Sequence, residues 1–365
     1  MRFIFPIVLV LAANLYVWCR IYSILPLPTW GKLFASIFCA ICFLLVFLYP
    51  FGVLDKVPLS LAKVMYFLEW TWFIAVLYLL MAFLLVDILR LCHIVPYSFM
   101  KDSLPGSIVV LGGVALVLSL GGIHYYHKYR EPLTIETDKP LDGPVRIVLA
   151  SDLHLGFHNH RSELARWIDI INKENPSAVL IGGDIVDISV RPLLEENFAE
   201  EFSKLDAPVY TVLGNHEYYS KEPLAEKFLS DAGITLLRDE SREVCGLAVI
   251  GRDDRTNKDR KSLSTLVDEM DSTLAGKFTI LLDHQPNNLE EAENERIDFQ
   301  FSGHTHRGQV WPISWITDSM FEVSWGHLRK GSTRYYVSSG LGIWGAKIRI
   351  GTRSEYLVLD IVPRK

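Results

Sequence analysis

Aspartates, histidines and one asparagine form five short clusters in the second half of the 365-residue chain. In chain order the clusters are Asp152-x-His154, Gly183-Asp184-x-x-Asp187, Gly214-Asn215-His216-Glu217, His284 and Gly303-His304-x-His306. Their carboxylates, imidazoles and single amide oxygen, with no thiolate, are a donor set that suits Mn²⁺, Fe or Zn²⁺. The set is too large for one tetrahedral ion, whereas two cations about 3.5–4 Å apart can share a bridging carboxylate, for which Asp184 is the natural candidate. The clusters therefore predict a site for two divalent metal ions.

Each cluster comes directly after a short apolar run that is typical of a β-strand. The runs cover residues 145–151, 178–181, 208–213, 278–282 and 297–301, and helical stretches at 162–175 and 193–205 separate the first three. Strands that alternate with helices predict an α/β domain. Ligands in such folds bind beyond the carboxyl ends of the strands, where side chains from distant segments converge. A single histidine near a strand is more often a core residue than a ligand, but five clusters that all follow strands indicate one common site.

The clusters and their surroundings, SDLHLG, GGDIVD, LGNHEYY and SGHTHRGQ, resemble the motif blocks of the calcineurin-like metallophosphoesterases. The resemblance extends from about residue 144 to the C terminus. It is strongest to the bacterial membrane-associated branch that acts on phosphodiesters or lipid pyrophosphates. It implies a β-sandwich flanked by helices as the fold of this part of the chain. One departure is Arg307, which follows the last motif where this branch often has glycine. An arginine at this position either binds a phosphoryl oxygen of the substrate or is a solvated loop residue, and we expect the second.

The same resemblance implies a role for each motif residue. The implied ligands of the first metal are Asp152, His154 and His306, and those of the second are Asn215, His284 and His304. Asp184 is implied to bridge the two ions, His216 to be the general acid, and Asp187 to orient the turn after its strand. A water held between two cations is deprotonated near neutral pH, and a protonated histidine can donate to a leaving alkoxide. The motifs thus predict phosphoester hydrolysis.

The first part of the chain is nearly free of charge and contains four long apolar runs. We predict membrane spans at residues 3–20, 33–54, 64–87 and 104–124, because about 20 apolar residues in a helix cross a hydrocarbon core of about 30 Å. Residues 1–130 carry a net charge of +5 and the rest of the chain −11. We therefore predict a transmembrane region at 1–130, a linker at 131–143 and the phosphoesterase domain at 144–365. A cleaved signal peptide is the alternative for the first run, but no small-x-small cleavage site follows it.

Charge also bears on where the protein resides. Four spans place both chain ends on one side of the membrane, and the ends and loop on that side carry five Lys/Arg against four on the other. The positive-inside rule thus favours, by a single charge, a cytoplasmic catalytic domain on the cell inner membrane. Glu69 and Asp87 bracket the third apolar run, so we expect both near a membrane interface rather than in an ion path. No global basic patch is present, and no nucleic-acid partner is expected.

Two functions are compatible with these features. The first is a membrane-anchored, dinuclear-metal phosphohydrolase that cleaves phosphodiester or pyrophosphate bonds of a lipid- or nucleotide-linked substrate. The alternative is a membrane sensor or transporter whose second half binds a phosphorylated ligand without cleaving it. His216 favours the hydrolase, because a pure binder has no need of a general acid. The expected partners are the lipid bilayer and a phosphorylated small molecule or lipid. A Trp-rich insertion at 311–325 is a candidate for dipping into the lipid headgroup layer.

Overall fold

A computed structural model describes residues 4–364 of the protein, and these residues divide into two compact units. The first unit comprises the chain up to Ile123 together with the short segment Gly345–Ile348. The second unit comprises His124–Trp344 and the residues from Arg349 onward. The change of unit at Ile123 lies close to residue 130, the predicted end of the transmembrane region.

The first unit is helical. Its helices are Ile4–Ile24 (α1), Thr29–Leu45 (α2), Leu59–Leu91 (α3), Leu104–Ser107 (α4) and Gly113–Tyr126 (α5). A π-helical turn at Ile108–Gly112 joins α4 to α5. The last three residues of α5 belong to the second unit. Four stretches are long and apolar enough to cross a membrane, namely Ile7–Ile24, Thr29–Leu48, Leu59–Leu91 and Leu104–Tyr126. The four predicted apolar helices are therefore present, with bounds shifted by several residues. The start of the first predicted span, at Phe3, lies outside the described residues.

Local sequence explains several helix ends in this unit. Pro28 and Pro58 directly precede α2 and α3, a position at which the missing N–H of proline costs little. Ser103 Oγ caps α4 by accepting a hydrogen bond from Gly106 N at 3.0 Å. We expect Asp87 and Glu69 to lie near a membrane interface. Asp87 lies in the last two turns of α3. Because α3 begins at Leu59, Glu69 lies more than two turns inside the helix, and its side chain is buried.

The second unit contains two six-stranded sheets. The first sheet, in spatial order, consists of Lys128–Thr137 (β1), Ser354–Pro363 (β12), Val145–Ala150 (β2), Ala178–Ile181 (β3), Val209–Thr211 (β4) and Thr235–Leu236 (β5). The second consists of Gly326–Lys330 (β10), Thr333–Val337 (β11), Phe299–Ser302 (β9), Thr279–Leu282 (β8), Leu247–Gly251 (β7) and Glu240–Val244 (β6). Most neighbours are parallel. The antiparallel pairs are β12 with β2, β10 with β11, and β6 with β7.

Eight short helices accompany the sheets. They are Arg161–Asn172 (α6), Arg191–Glu195 (α7), Phe198–Phe202 (α8), Asn215–Tyr219 (α9), Glu222–Asp231 (α10), Leu263–Asp268 (α11), Glu290–Asn294 (α12) and Ile313–Met320 (α13). The predicted Glu-rich helix at 193–205 is thus two helices, because Asn197 between them adopts a left-handed conformation with φ 53°.

Buried side chains on both faces of each sheet build the core. In β2, Leu149 packs between the two sheets with residues of β8 and β9, whereas its neighbour Val148 packs with Trp167 of α6. In β8, Ile280 likewise faces the space between the sheets and Leu281 packs with α11 and α12. Successive residues of a strand point to opposite faces, so strands covered on both sides are apolar throughout. The result is the predicted sandwich of two sheets flanked by helices.

Most of the predicted linker is a strand. β1 pairs in parallel with β12 along its whole length, from Lys128 opposite Ser354 to Thr137 opposite Pro363. β1 contains charged residues and Pro132 and is an edge strand, where proline is tolerated and one face meets solvent. Residues 138–144 connect β1 to β2.

Candidate metal centre

The loops after β2, β3, β4, β8 and β9 bring the five motif clusters together. Three groups of ligand atoms result, each with its atoms within 4.8 Å of one another: Asp152, His154 and His306; His154, Asp184 and His216; and Asp184, His284 and His304. Of the seven predicted metal ligands, all but the half-buried His304 are buried. The prediction that strand ends carry one common site therefore agrees with the geometry of the described residues.

The backbone of the ligand loops is strained. Five of the seven predicted ligands have a positive φ, namely Asp152 (55°), His154 (43°), Asp184 (54°), His304 (70°) and His306 (48°). A left-handed conformation costs a non-glycine residue of the order of 1–2 kcal/mol. Such strain persists only where the surrounding structure imposes it, and here it aims successive side chains at the same point.

Two motif glycines permit the loops to approach one another. A Cβ at Gly214 would overlap with Asp184 Oδ1, and a Cβ at Gly303 would overlap with Asp152 Oδ2. The glycines before Asn215 and His304 therefore let the carboxylates lie directly against the neighbouring loop.

The first predicted ligand set, Asp152, His154 and His306, forms a compact group. His154 Nε2 lies 3.0 Å from His306 Nε2, and Asp152 Oδ1 lies 3.4 Å from His306 Nε2 and 3.8 Å from His154 Nε2. Asp187 Oδ1 lies 3.3 Å from the other ring nitrogen of His154, Nδ1. Asp187 therefore faces one side of the His154 ring and Nε2 faces the other two side chains, whereas its predicted role in orienting the turn after its strand stays a prediction.

The second predicted set lies on the other side of Asp184. His304 Nδ1 lies 2.7 Å from Asn215 Oδ1, and His284 Nε2 lies 3.2 Å from Asp184 Oδ2. The same carboxylate oxygen lies 3.6 Å from His154 Nε2 of the first set. One oxygen of Asp184 is therefore close to both sets, which is the position that a bridging ligand needs.

The orientation of His284 tests whether these residues fit a metal ion. Its Nδ1 lies 2.7 Å from Gly182 O, and since a carbonyl only accepts, Nδ1 carries the proton. In the neutral ring Nε2 then presents a lone pair, and it is buried with no hydrogen-bond partner among the described residues. A buried, unpaired nitrogen that faces a carboxylate is accounted for by a cation between them. The donors present therefore fit a divalent metal ion.

Burial and neighbouring charges set the protonation of the site. Burial raises the pKa of Asp152, but His306 and His154 outweigh this effect and hold the pKa below its usual range. For Asp184 burial is likewise outweighed, chiefly by His284, and the pKa is lowered. Burial, aided by the charge of His284, lowers the pKa of His304 to about 4, so its ring is neutral at neutral pH. Ionised carboxylates and a neutral imidazole are the forms that bind metal ions.

The carboxylates of the site raise the pKa of two further imidazoles, those of His154 and His284. Burial lowers the pKa of His154, but Asp152 and Asp187 outweigh it and raise the pKa to about 10. Burial also opposes the charged form of His284, and Asp184 again outweighs it and raises that pKa. The carboxylates thus favour a proton or another cation at these two rings, whereas burial lowers the pKa of His306.

His216 lies beside both ligand sets. Its Nδ1 is 3.1 Å from Asp187 O and 3.2 Å from Asp187 Oδ1, so Nδ1 carries a proton and Nε2 is directed elsewhere. Its backbone N–H donates to Asp184 Oδ1 at 2.9 Å. The side chain retains 13% exposure, more than any predicted first-set ligand, so a substrate can reach it.

Two residues that position the site received no role from the sequence. Glu217 is buried, and its Oε2 accepts hydrogen bonds from Gly214 N at 2.7 Å and Asp184 N at 3.0 Å, which ties two motif loops together. Arg349 is fully buried and donates to His306 O at 2.9 Å and Gly342 O at 3.1 Å. The motif that contains Glu217 was a signal that could have pointed to its role. Arg349 lies 43 residues beyond His306, so the sequence gives no sign that the two residues are in contact.

Arg307 differs from its expected state as a solvated loop residue. Its guanidinium lies 4.4 Å from the ring centroid of Trp325, and its own side chain is half-buried. The arginine is therefore held by a cation–π contact next to the metal centre.

The second unit is a two-sheet α/β fold, and buried carboxylates and imidazoles lie together at the ends of its strands. This combination is typical of a metal-dependent hydrolase. Residues 145–308 match the calcineurin-like phosphoesterase family. A metallophosphoesterase of Helicobacter pylori is 32% identical over 250 residues, which are 66% of this chain and 66% of that protein. One of Aquifex aeolicus is 31% identical over 241 residues, 63% of this chain and 90% of its own. The chain belongs to the calcineurin-like phosphoesterase family.

Membership confirms the predicted family and fold and identifies the second unit as a metal-dependent phosphoesterase domain. The family implies divalent metal ions and a phosphorylated substrate. A relative of Danio rerio, named transmembrane protein with metallophosphoesterase domain, is 29% identical over 265 residues, 66% of this chain and 60% of that protein. With its four apolar helices, this chain also combines such a domain with membrane association.

Proposed function

We propose that the protein is a membrane-anchored phosphohydrolase with two divalent metal ions, Mn²⁺, Fe or Zn²⁺. Its substrate is a phosphodiester or pyrophosphate that is linked to a lipid or a nucleotide. The observation that carries this proposal is the place of Asp184 Oδ2, 3.2 Å from His284 Nε2 and 3.6 Å from His154 Nε2. A carboxylate shared between two sets of imidazoles suits two ions, since a shared anion offsets the repulsion between them.

Each motif residue then has a defined task. Asp152, His154 and His306 would hold one ion, Asn215, His284 and His304 would hold the other, and Asp184 would be shared between them. Two bound divalent ions supply Lewis acidity, which polarises the phosphoryl oxygens and acidifies a bound water. Asp187 and Glu217 hold the rings and loops in place, through His154 Nδ1 and through the N–H groups of Asp184 and Gly214.

His216 acts as the general acid in this proposal. The Asp187 carbonyl and carboxylate both lie beside Nδ1, so Nε2 is the nitrogen that is left to donate a proton to the departing oxygen of the substrate. This role distinguishes the hydrolase from a sensor or transporter that only binds a phosphorylated ligand.

We place the protein in the cell inner membrane with the phosphoesterase domain in the cytoplasm. The support is the small excess of Lys/Arg, five against four, on the side of the membrane that carries both chain ends. Reporter fusions to the C terminus and to the loop between α1 and α2 would test this orientation.

The activity is tested on the purified full chain supplied with Mn²⁺. We expect about two metal ions per chain by elemental analysis, in line with a dinuclear centre, and turnover of bis-p-nitrophenyl phosphate in excess of the monoester p-nitrophenyl phosphate. A single ion per chain would contradict the shared role of Asp184. Bound metal without turnover of either ester would identify a binding module instead.

A further inference from the structure

Exposed apolar side chains of the second unit are concentrated in one short segment. Among the described residues 128–364, the exposed large hydrophobic side chains are Leu194, Tyr219, Leu224, Trp311, Trp315, Ile316 and Met320. Four of these seven lie within residues 311–320, which contain α13. Single exposed apolar residues need no explanation, but a cluster of this kind marks a surface that contacts something apolar.

The apolar side chains of α13 share one side of the helix. Trp315, Ile316 and Met320 are 65%, 53% and 70% exposed, and at about 100° per residue they fall within one arc of about 140°. Ser314, at the back of the helix, is buried. The ring of Trp311, just before the helix, meets that of Trp315 edge-on at a centroid distance of 5.4 Å. The helix therefore presents a continuous aromatic and aliphatic ridge.

This ridge leads directly to the metal centre. Phe321 follows the last residue of α13, and its ring lies 6.3 Å from the ring of His304, measured between centroids. Thr305, between the two histidines of the last motif, donates from Oγ1 to Ser324 O at 2.5 Å. The segment after α13 is thus anchored to the loop that carries two predicted metal ligands.

Chain connectivity links the residues beside the ridge to the membrane-spanning stretches by short sequence distances. The membrane-spanning stretch Leu104–Tyr126 ends two residues before β1 begins at Lys128. Ile350, whose carbonyl accepts from Trp311 N at 2.7 Å, lies two residues, or about 7 Å of chain, beyond Gly345–Ile348, which belongs to the helical unit. Trp311, just before α13, is therefore hydrogen-bonded to a residue that is close in sequence to a segment of the helical unit, and tryptophan side chains favour the membrane interface.

We propose that α13 docks on the lipid bilayer and guides an amphiphilic phosphoester into the metal centre. The apolar chain of the substrate rests on Trp315, Ile316 and Met320, and its phosphoester lies beyond Phe321 at His304. This inference depends on the proposed function and specifies its substrate class, a lipid-linked rather than a nucleotide-linked phosphoester.

Two substrates with the same scissile bond test the role of the ridge. Methyl p-nitrophenyl phosphate is soluble, whereas hexadecyl p-nitrophenyl phosphate enters a phosphatidylcholine nanodisc that holds the full chain. The combined variant Trp315→Ala, Ile316→Ala, Met320→Ala is expected to lower kcat/KM for the hexadecyl ester at least tenfold relative to the methyl ester. The matched control Leu194→Ala, Leu224→Ala, which removes two other exposed leucines, is expected to leave that ratio unchanged.

Each outcome has a defined meaning. An unchanged ratio in the α13 variant, or an equal loss on both esters, would overturn the docking role. Failure of the wild-type chain to cleave either ester would refute the proposed hydrolase, and with it a lipid substrate.

A measurement without turnover separates the docking surface from the chemistry. The photoreactive amino acid p-benzoylphenylalanine in place of Trp315 is expected to become crosslinked to phosphatidylcholine in the nanodisc, whereas the same amino acid in place of Leu194 is not. Equal labelling at the two positions, or labelling at neither, would overturn membrane docking of α13 whether or not the chain is an active hydrolase.

Discussion

Ionisable side chains serve different purposes in the two units. In the catalytic unit, Asp152, Asp184 and Asp187 are almost completely buried and lie together among imidazoles. In the helical unit, Asp87 pairs with Arg20 and Arg90 at the ends of α1 and α3, where these side chains keep 19–27% exposure. The first group is buried and contains several carboxylates close together, whereas in the second one carboxylate pairs with two guanidinium groups and all three side chains are partly exposed.

The difference indicates which group exists for function. Burial of an ionised group costs several kcal/mol unless partners offset it, and crowded carboxylates repel one another. Strained backbone at five ligands adds to that cost. Such an arrangement is stable where a bound cation offsets the cost of burying the carboxylates. A partly solvated ion pair, by contrast, contributes little to the free energy of folding and connects two helices. The following substitutions test this contrast, from the largest expected effect to the smallest.

Replacement of the shared carboxylate is expected to have the largest effect. Asp184→Asn keeps the shape of the side chain but removes the charge near both imidazole sets, so metal should be lost and kcat/KM should fall to background. Elemental analysis and the diester assay measure both. Asp360→Asn is the matched control, because Asp360 pairs with Arg146 on the partly exposed side of the first sheet. Full metal content in Asp184→Asn would remove the basis for two ions.

Removal of the general acid is expected to slow catalysis without loss of metal. His216→Asn should lower kcat about 10²–10⁴-fold, the usual contribution of a positioned acid. The loss should be greatest for alkyl leaving groups and smallest for p-nitrophenolate, which needs little protonation. Because the His216 ring also lies within ligand distance of His154 and Asp184, a parallel loss of one metal ion would assign it as a ligand instead.

The buried arginine is expected to act on metal affinity. Arg349→Met leaves the carbonyls of His306 and Gly342 without this donor, which should destabilise the fold by about 1–3 kcal/mol. Loss of a group that holds a ligand loop typically weakens metal binding about 10–100-fold. A titration of metal-depleted protein with Mn²⁺ measures this loss, and Arg349→Lys should recover part of it. Unchanged affinity with lowered Tm would show that Arg349 supports the fold alone.

Sequence reasoning succeeded where local pattern and chemistry coincide. The strands before Asp152, Asp184, Asn215, His284 and His304 are short apolar runs that end in glycine or turn residues, and these features survive in the fold. The two-sheet sandwich itself came from the resemblance of those motifs to a family. The roles of the individual ligands remain predictions that metal analysis will test.

Other features depend on partners far away in the chain. Most of β1 lies in the predicted linker. The sequence does not reveal it as a strand, because its own residues are charged and its partner, β12, lies more than 200 residues later. Arg349 carries no motif, and its task emerges only from the carbonyls that surround it. The left-handed conformation of His154 and His306 is likewise invisible in the sequence, since histidine does not require it.

The ion pairs of the helical unit provide the smallest expected effect. Asp87 accepts from Tyr16 at 2.5 Å and from Arg90 at 3.0 Å and also pairs with Arg20, so Asp87→Asn weakens the contact between α1 and α3. Because these groups are partly solvated, we expect a loss of only about 1 kcal/mol, seen as a lower Tm in detergent. Metal content and kcat/KM on the soluble diester should stay within about twofold of wild type, since a surface pair has no part in catalysis. A large loss of metal or turnover in this variant would show that the helical unit controls the metal centre, and the contrast between the two groups of charges would then fail.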